Sequence, residues 1–350
     1  MPLWKPDFDR VLTVLRRQGE PDRVPFLELF HDLEVIEAAM GQKAPQDPAQ
    51  QRQFHLDFMI QHGYDYVVGR YVYGFPGCDA LIADDTAFYS RGQRGWQDEH
   101  HGPITSWAEF ESYQWPDPSS ADFTELEAYA QILPDGMRCV SLLPGGVLEN
   151  LISLMGLENL CIAAVEQPNL VQTVVDRVGD CLCGIYEALG DMDWVGALWL
   201  NDDMGFKTQT ILSPAMLRRF IFPHQTRLVE IAHAHGKPVM LHACDNVLEV
   251  MDDLIEGVGV DAKHSFEDII QSVTDFKRQY GDRVAALGGI DVDILARGTE
   301  AQVRAYTRQR IEECAPGGGW ALGSGNSVAN YVPLGNFLAM LDAGRQWGVY

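Results

Sequence analysis

Along most of this chain, short apolar runs alternate with longer stretches in which apolar residues recur every three or four positions. The first pattern suits buried strands and the second amphipathic helices. From residue 138 onward the alternation is regular. Arg138 to Leu143 reads as a strand, and Gly146 to Met155, Leu157 to Glu166 and Pro168 to Gly190 read as helices. Trp194 to Leu200 is a strand that runs into Asn201-Asp202-Asp203. Ser213-Pro214 opens a helix by the preference for Ser at the N-cap and Pro in the first turn, and Pro223 to His235 is helical up to Gly236. Strands at Pro238 to His242, Asp261 to His264, Val284 to Gly288 and Gly319 to Gly323 alternate with helices at Asn246 to Gly257, Asp268 to Gly281, Thr299 to Cys314 and Pro333 to Gly344.

The first third adds a helix from Asp7 to Gly19, a strand from Val24 to Phe30, helices from Leu33 to Gly41 and Pro48 to Gly63, and a strand from Tyr66 to Arg70. Tyr71 to Trp107 differs in texture, with Gly, Pro and aromatics set among polar residues, and suits an antiparallel excursion. A helix near Trp107 to Tyr113 and another from Asp122 to Leu133 lead back to the regular part. Strands beginning near residues 24, 66, 138, 194, 238, 260, 284 and 319 make eight. Eight strands with intervening helices predict an α/β fold of the (β/α)8 TIM-barrel kind. A doubly wound open sheet is the alternative, but no Gly-x-Gly-x-x-Gly turn follows the first strand. The expectation is one barrel domain over 1–350 with an insertion at about 71–107.

Charge narrows the partners. With 26 Lys+Arg against 50 Asp+Glu the formal net charge is -24, which repels nucleic acid and anionic membrane. The seven cysteines, most of them in apolar runs and none in a CxxC pair, suit buried thiols in a reducing compartment. Met1-Pro2-Leu3-Trp4 begins no basic-then-apolar leader, and no apolar stretch approaches membrane-spanning length. A soluble cytoplasmic protein acting on a small molecule is expected.

Active sites of such barrels gather at the C-terminal strand ends. Those ends carry His31, Arg70, Asn201-Asp202-Asp203, His242-Cys244-Asp245, His264, Asp291 and Asn326. His242 and Cys244, two apart on a strand, face the same way, so an imidazole and a thiolate can converge on one metal ion. The alternative is a core histidine beside a buried thiol. Asp202 or Asp203 could orient a ligand or take a proton, or could cap a helix. Arg70 could bind a substrate carboxylate or sit at the surface. His100-His101 face opposite ways if extended and read as exposed loop residues. Ser324-Gly325-Asn326-Ser327 lacks the Gly-Lys-Ser/Thr ending of a phosphate loop.

Asn201-Asp202-Asp203-Met204-Gly205, Ser213-Pro214, Leu241-His242-Ala243-Cys244-Asp245-Asn246, Gly288-Gly289-Ile290-Asp291 and the segment from Gly323 to Pro333 together resemble the uroporphyrinogen decarboxylase superfamily. The resemblance implies a distorted (β/α)8 barrel. True uroporphyrinogen decarboxylases carry an Arg-Gln-Ala-Gly-Arg motif after the first strand, where this chain has Phe26 to Asp32 without arginine. Their histidine near the last strand also has no counterpart here. The other branch, zinc-dependent methyltransferases working between corrinoid (cobalamin) proteins and thiols, uses His-x-Cys and a later Cys as ligands. His242 and Cys244 match the first two, and the later Cys falls at Asn326. The resemblance therefore implies Zn2+ or another divalent metal on His242 and Cys244, with the remaining ligand from Asp202, His264 or Asp291, of which Asp291 is assigned. Asp202, Asp203 and His264 are the catalytic candidates, and Arg70, Asn201 and Asn326 the substrate-binding ones. A corrinoid supplied by a partner protein is the implied methyl donor. The alternatives are a metal-free decarboxylase of a smaller acid and a non-catalytic barrel that carries a corrinoid or tetrapyrrole.

Overall fold

The computed structural model describes residues 4–78, 80–142 and 145–350, so Met1 to Leu3, Asp79 and the end of the predicted third strand at Leu143 lie outside the described residues. Seven parallel strands form one sheet in the order β1-β4-β5-β6-β7-β8-β9. They are β1 (Tyr66–Gly69), β4 (Arg138–Ser141), β5 (Val195–Asn201), β6 (Val239–His242), β7 (Ala262–His264), β8 (Ala285–Leu287) and β9 (Trp320–Ala321). Between β1 and β4, β2 (Ala80–Asp84) and β3 (Gln93–Gln97) pair as a separate antiparallel hairpin. Every residue of β6 is buried, as expected for a parallel strand covered on both faces by other layers.

The predicted first strand is the main departure. Val24 to Phe30 is extended and follows the edge of β9, with parallel bridges from Phe26 to Leu322 and from His31 to Val328. The Leu27 N–H donates to the Leu322 carbonyl at 2.8 Å, and the Leu322 N–H donates to the Pro25 carbonyl at 2.9 Å. Pro25 has no N–H to give, so the ladder stays partial. On its other side this segment meets β1 through a side chain. The Tyr66 hydroxyl accepts from the Glu28 N–H at 2.7 Å and donates to the Glu28 carbonyl at 2.6 Å, standing in for a ladder rung.

Other boundaries shift for local reasons. The predicted helix from Asn246 to Gly257 is helical from Leu248 to Val258, tightly wound over Leu248–Val250 and widely wound over Asp253–Val258, and is closed by Gly259 at φ 85°. The Asp268-to-Gly281 helix starts only at Val273, where Ser272 caps it by accepting from the Asp275 N–H. Thr299 and Gln302 form a reciprocal capping box on Glu300–Cys314. Pro168–Gly190 is helical over its full predicted length. All seven cysteines are free thiols. No single helix among the described residues is long and apolar enough to cross a membrane.

Candidate functional site

The register of three neighbouring strands builds the site. Asn201 at the end of β5 pairs with His242 at the end of β6, which pairs with His264 at the end of β7. Three strand ends are thus level at the C-terminal edge. Side chains alternate along a strand, so Asp203 continues the face of Asn201, and Cys244 continues the face of His242. The two meet. Asp203 accepts the Cys244 N–H on Oδ1 at 2.7 Å and the Cys244 thiol on Oδ2 at 2.9 Å. One donor atom each from Asp203, His242 and Cys244 lie within 4.8 Å of one another.

Burial sets the protonation of this group. His242 is pushed down to about 4 by burial, opposed by nearby Asp203, so its ring is neutral and keeps a lone pair for a ligand. Its Nδ1 lies 2.8 Å from the Nδ1 of His264, which leaves the other nitrogen clear of that contact. His264 is fully buried, stands edge-on to Trp199, and is held well below its ordinary value by burial and then by His242. Burial and Asp203 push the Cys244 thiol up. Beside the group, the Asp203 N–H donates to Glu149 at 3.2 Å. Burial, then Asp202 and Asp203, raise the Glu149 carboxyl well above the usual range.

Asp202 turns the other way and is fully buried. It accepts from the backbone N–H groups of Val147, Leu148 and Glu149 at 2.9, 2.8 and 3.0 Å and from Gln225 Nε2 at 2.7 Å. These N–H groups open the helix Val147–Met155, whose own N-cap position, Gly146, offers no side chain. A Cβ at Gly146 would lie 2.5 Å from the Asp202 carboxyl carbon, so the close approach requires glycine. Asp202 is a helix cap supplied from another strand. Burial raises its carboxyl to about 6 against those hydrogen bonds.

Among the described residues, the donor to His242 and Cys244 is Asp203, while Asp202, His264 and Asp291 stand outside that group. Asp291 caps the helix Val292–Arg297, accepting from the N–H groups of Asp293 at 2.7 Å and Asp268 at 2.9 Å. With Asn326 it borders a cavity of about 610 Å³ that also touches Lys207, Glu267 and Tyr331. Arg70 lies elsewhere, on a cavity beside β1. His100 and His101 are exposed.

Asp245, named among the strand-end residues but given no role, is raised to about 6 by burial and Asp203 and accepts the Gly205 N–H. Sequence reasoning passed over other buried polar groups. Lys263, lowered to about 8 by burial, bonds the Ser265 carbonyl and lies 4.4 Å from the centre of the Phe266 ring. Glu28, pushed up to about 8 by burial, accepts from both the N–H and the hydroxyl of Ser324. A lone acid inside the apolar run from Val24 to Phe30 was a readable signal for Glu28. Nothing comparable marked Glu149.

The donor set fits a divalent metal. Carboxylate, neutral imidazole and thiol are all first-row metal ligands, and about 3.4 Å separates ligand atoms around tetrahedral zinc, within reach of this cluster. The Cys244 thiol donates to Asp203, so a metal binding here would have to displace that proton.

A family model for uroporphyrinogen decarboxylase (URO-D) matches residues 100–347. Among solved structures, the fold is similar to a methyltransferase from Methanosarcina mazei, with a TM-score of 0.72 at 18% identity over 96% of this chain and 97% of that one. No curated protein matches the chain.

Proposed function

Because the chain belongs to the uroporphyrinogen decarboxylase family, we propose that it is an enzyme of the methyl-transferring kind, with a divalent metal, zinc first, held by Asp203, His242 and Cys244. The observation that carries the reading is the convergence of those three donors at level strand ends. The likeness to the Methanosarcina mazei methyltransferase over nearly the full chain supports the same architecture. On this reading the fold is a distorted (β/α)8 barrel, with Val24 to Phe30 as the eighth staff and 71–107 inserted after the second.

A divalent metal held by Asp203, His242 and Cys244 would supply Lewis acidity, the chemistry that lowers the pKa of an acceptor thiol toward neutral pH. The chain's residues do the rest. Cys244 would release to solvent the proton it now shares with Asp203, and His242 would contribute a neutral nitrogen while His264 fixes its ring. The acceptor sulfur releases its proton to solvent at the strand ends and forms the new S–C bond. The bond from the methyl group to its donor breaks, and its electron pair stays on the donor. A corrinoid carried by a partner protein is the proposed donor. A carboxylate in place of a second thiolate makes the site harder, and so more accepting of Fe2+ or Mn2+.

The test is elemental analysis of protein purified without chelators, in wild type, Asp203→Asn, His242→Ala and Cys244→Ser. Stoichiometric metal in wild type that is lost from the three variants supports the site, as does methyl transfer from a methylated corrinoid to a thiol. Metal-free wild type, or content unchanged in the variants, sinks it.

A further inference from the structure

A second cavity, of about 500 Å³, lies beside β1, between the helices Pro48–His62 and Thr124–Tyr129. β1 stands three strands from β6, and the cavity shares no lining residue with the Asp203, His242 and Cys244 group. Phe30, Ile36, Phe54 and Val68 give it an apolar wall, and Arg52 and Arg70 border it from the helix and from the end of β1. Its size suits a small organic ligand.

Most arginines here sit against a carboxylate, as the acidic excess predicts. Arg91, also at this cavity, pairs with Asp32 at 2.7 Å and Glu34 at 3.0 Å. Arg52 and Arg70 form neither an ion pair nor a hydrogen bond among the described residues, and Arg70 lies 5.7 Å from the centre of the Phe30 ring. Glu125 borders the same space without closing on either. Burial raises its carboxyl, with Arg70 and Arg52 pulling the other way. His55 bonds the Tyr129 hydroxyl at 3.0 Å, and burial followed by Arg70 lowers it to about 4, so it adds a polar edge without charge. Guanidinium groups with donors to spare beside apolar wall are the chemistry that recognises a carboxylate.

We propose that this cavity binds a small carboxylic acid with an apolar body, the carboxylate between Arg52 and Arg70 and the body against Phe30, Ile36, Phe54 and Val68. The arginines come from positions outside the segment Phe26 to Asp32, so this site does not restore the missing motif of the decarboxylases.

Isothermal titration of the full chain with 3-phenylpropionate and hexanoate tests it, with the two primary amides as uncharged controls. One saturable site with a dissociation constant of about 1 mM or tighter is expected for the acids. Arg52→Met and Arg70→Met should each weaken binding at least about tenfold, as should replacing acid by amide. Arg70 is exposed and Arg52 half-buried, so both variants should keep the wild-type thermal midpoint. Cys244→Ser should bind the acids as wild type does, which separates this inference from the metal reading. It is overturned if neither acid saturates by about 10 mM, if folded arginine variants bind as tightly as wild type, or if amides match acids.

Discussion

Asp202 is where a catalytic and a structural role make opposite predictions, and the geometry allows the structural one to be given a size. Asp202→Ala would leave four donors, the N–H groups of Val147, Leu148 and Glu149 and the Gln225 amide, without their acceptor in the interior. At about 1–3 kcal/mol for each buried group left unmade, less what relaxation and entering water recover, the gross loss is about 6 kcal/mol. An offset comes from removing a buried charge. The folded carboxyl stands at about 6 against an ordinary 3.8, about two units or about 3 kcal/mol. With that raised value the Asp202 contribution is full below about 4 and is lost as the pH rises through about 6. The net expectation at pH 7 is a loss of about 3 kcal/mol for Asp202→Ala.

Asp202→Asn separates charge from shape. Its carbonyl can keep the N–H groups of Leu148 and Glu149, and its NH2 meets Gln225, whose Oε1 has no hydrogen-bond partner among the described residues and can turn to accept. Only the Val147 N–H goes unpaired, so the loss is about 1 kcal/mol. Urea denaturation followed by far-UV circular dichroism at pH 7 measures both variants. Asp202→Ala within about 0.5 kcal/mol of wild type would refute the capping argument. Asp202→Asn that matches wild type in stability and metal content but transfers no methyl group would restore a catalytic role.

Three further outcomes follow from other contacts. Glu28, raised to about 8 from 4.5, gives a stability contribution that is full below about 4.5 and lost as pH rises through about 8, at most about 5 kcal/mol; Glu28→Gln should flatten that fall, and denaturation profiles from pH 5 to 9 that overlay wild type would contradict it. Tyr66→Phe removes both bonds to the Glu28 backbone and should cost about 2 kcal/mol by the same urea assay, with an unchanged midpoint showing that the seam does not depend on the hydroxyl. Uroporphyrinogen should not be turned over usefully, because no arginine lies between Phe26 and Asp32; coproporphyrinogen formed at the rate of a dedicated decarboxylase would overturn this.

The strands legible in the sequence are those buried on both faces. β5 and β6 are apolar runs because neighbouring layers cover them, and their ends fell within a residue of the reading. The first strand read equally well as an apolar run, but ladder formation depends on donors, and Pro25 supplies none. Helix periodicity held at Asn246 to Gly257, where the chain is helical from Leu248 to Val258, and only the winding, tight at the start and wide at the end before Gly259, was not legible.

The sequence left Asp202 and Asp203 open between orienting a ligand, taking a proton and capping a helix, since composition cannot tell which of two adjacent acids faces the mouth. Parity can, once one register is known. Asn201 is level with His242, so Asp203 and Cys244, each two residues further on, share a face and meet. Asp202, one residue out of step, must turn away, and it enters the start of Val147–Met155. Parity sorts less cleanly further on: Asp245 is out of step with Cys244 and Lys263 with His264, yet Asp245 and Lys263 line one small space together with Cys244, Phe266 and Glu267. The single fact absent from the sequence was the pairing of one residue on β5 with one on β6, and that pairing decides which carboxylate meets Cys244 and which meets the N–H groups at the start of Val147–Met155.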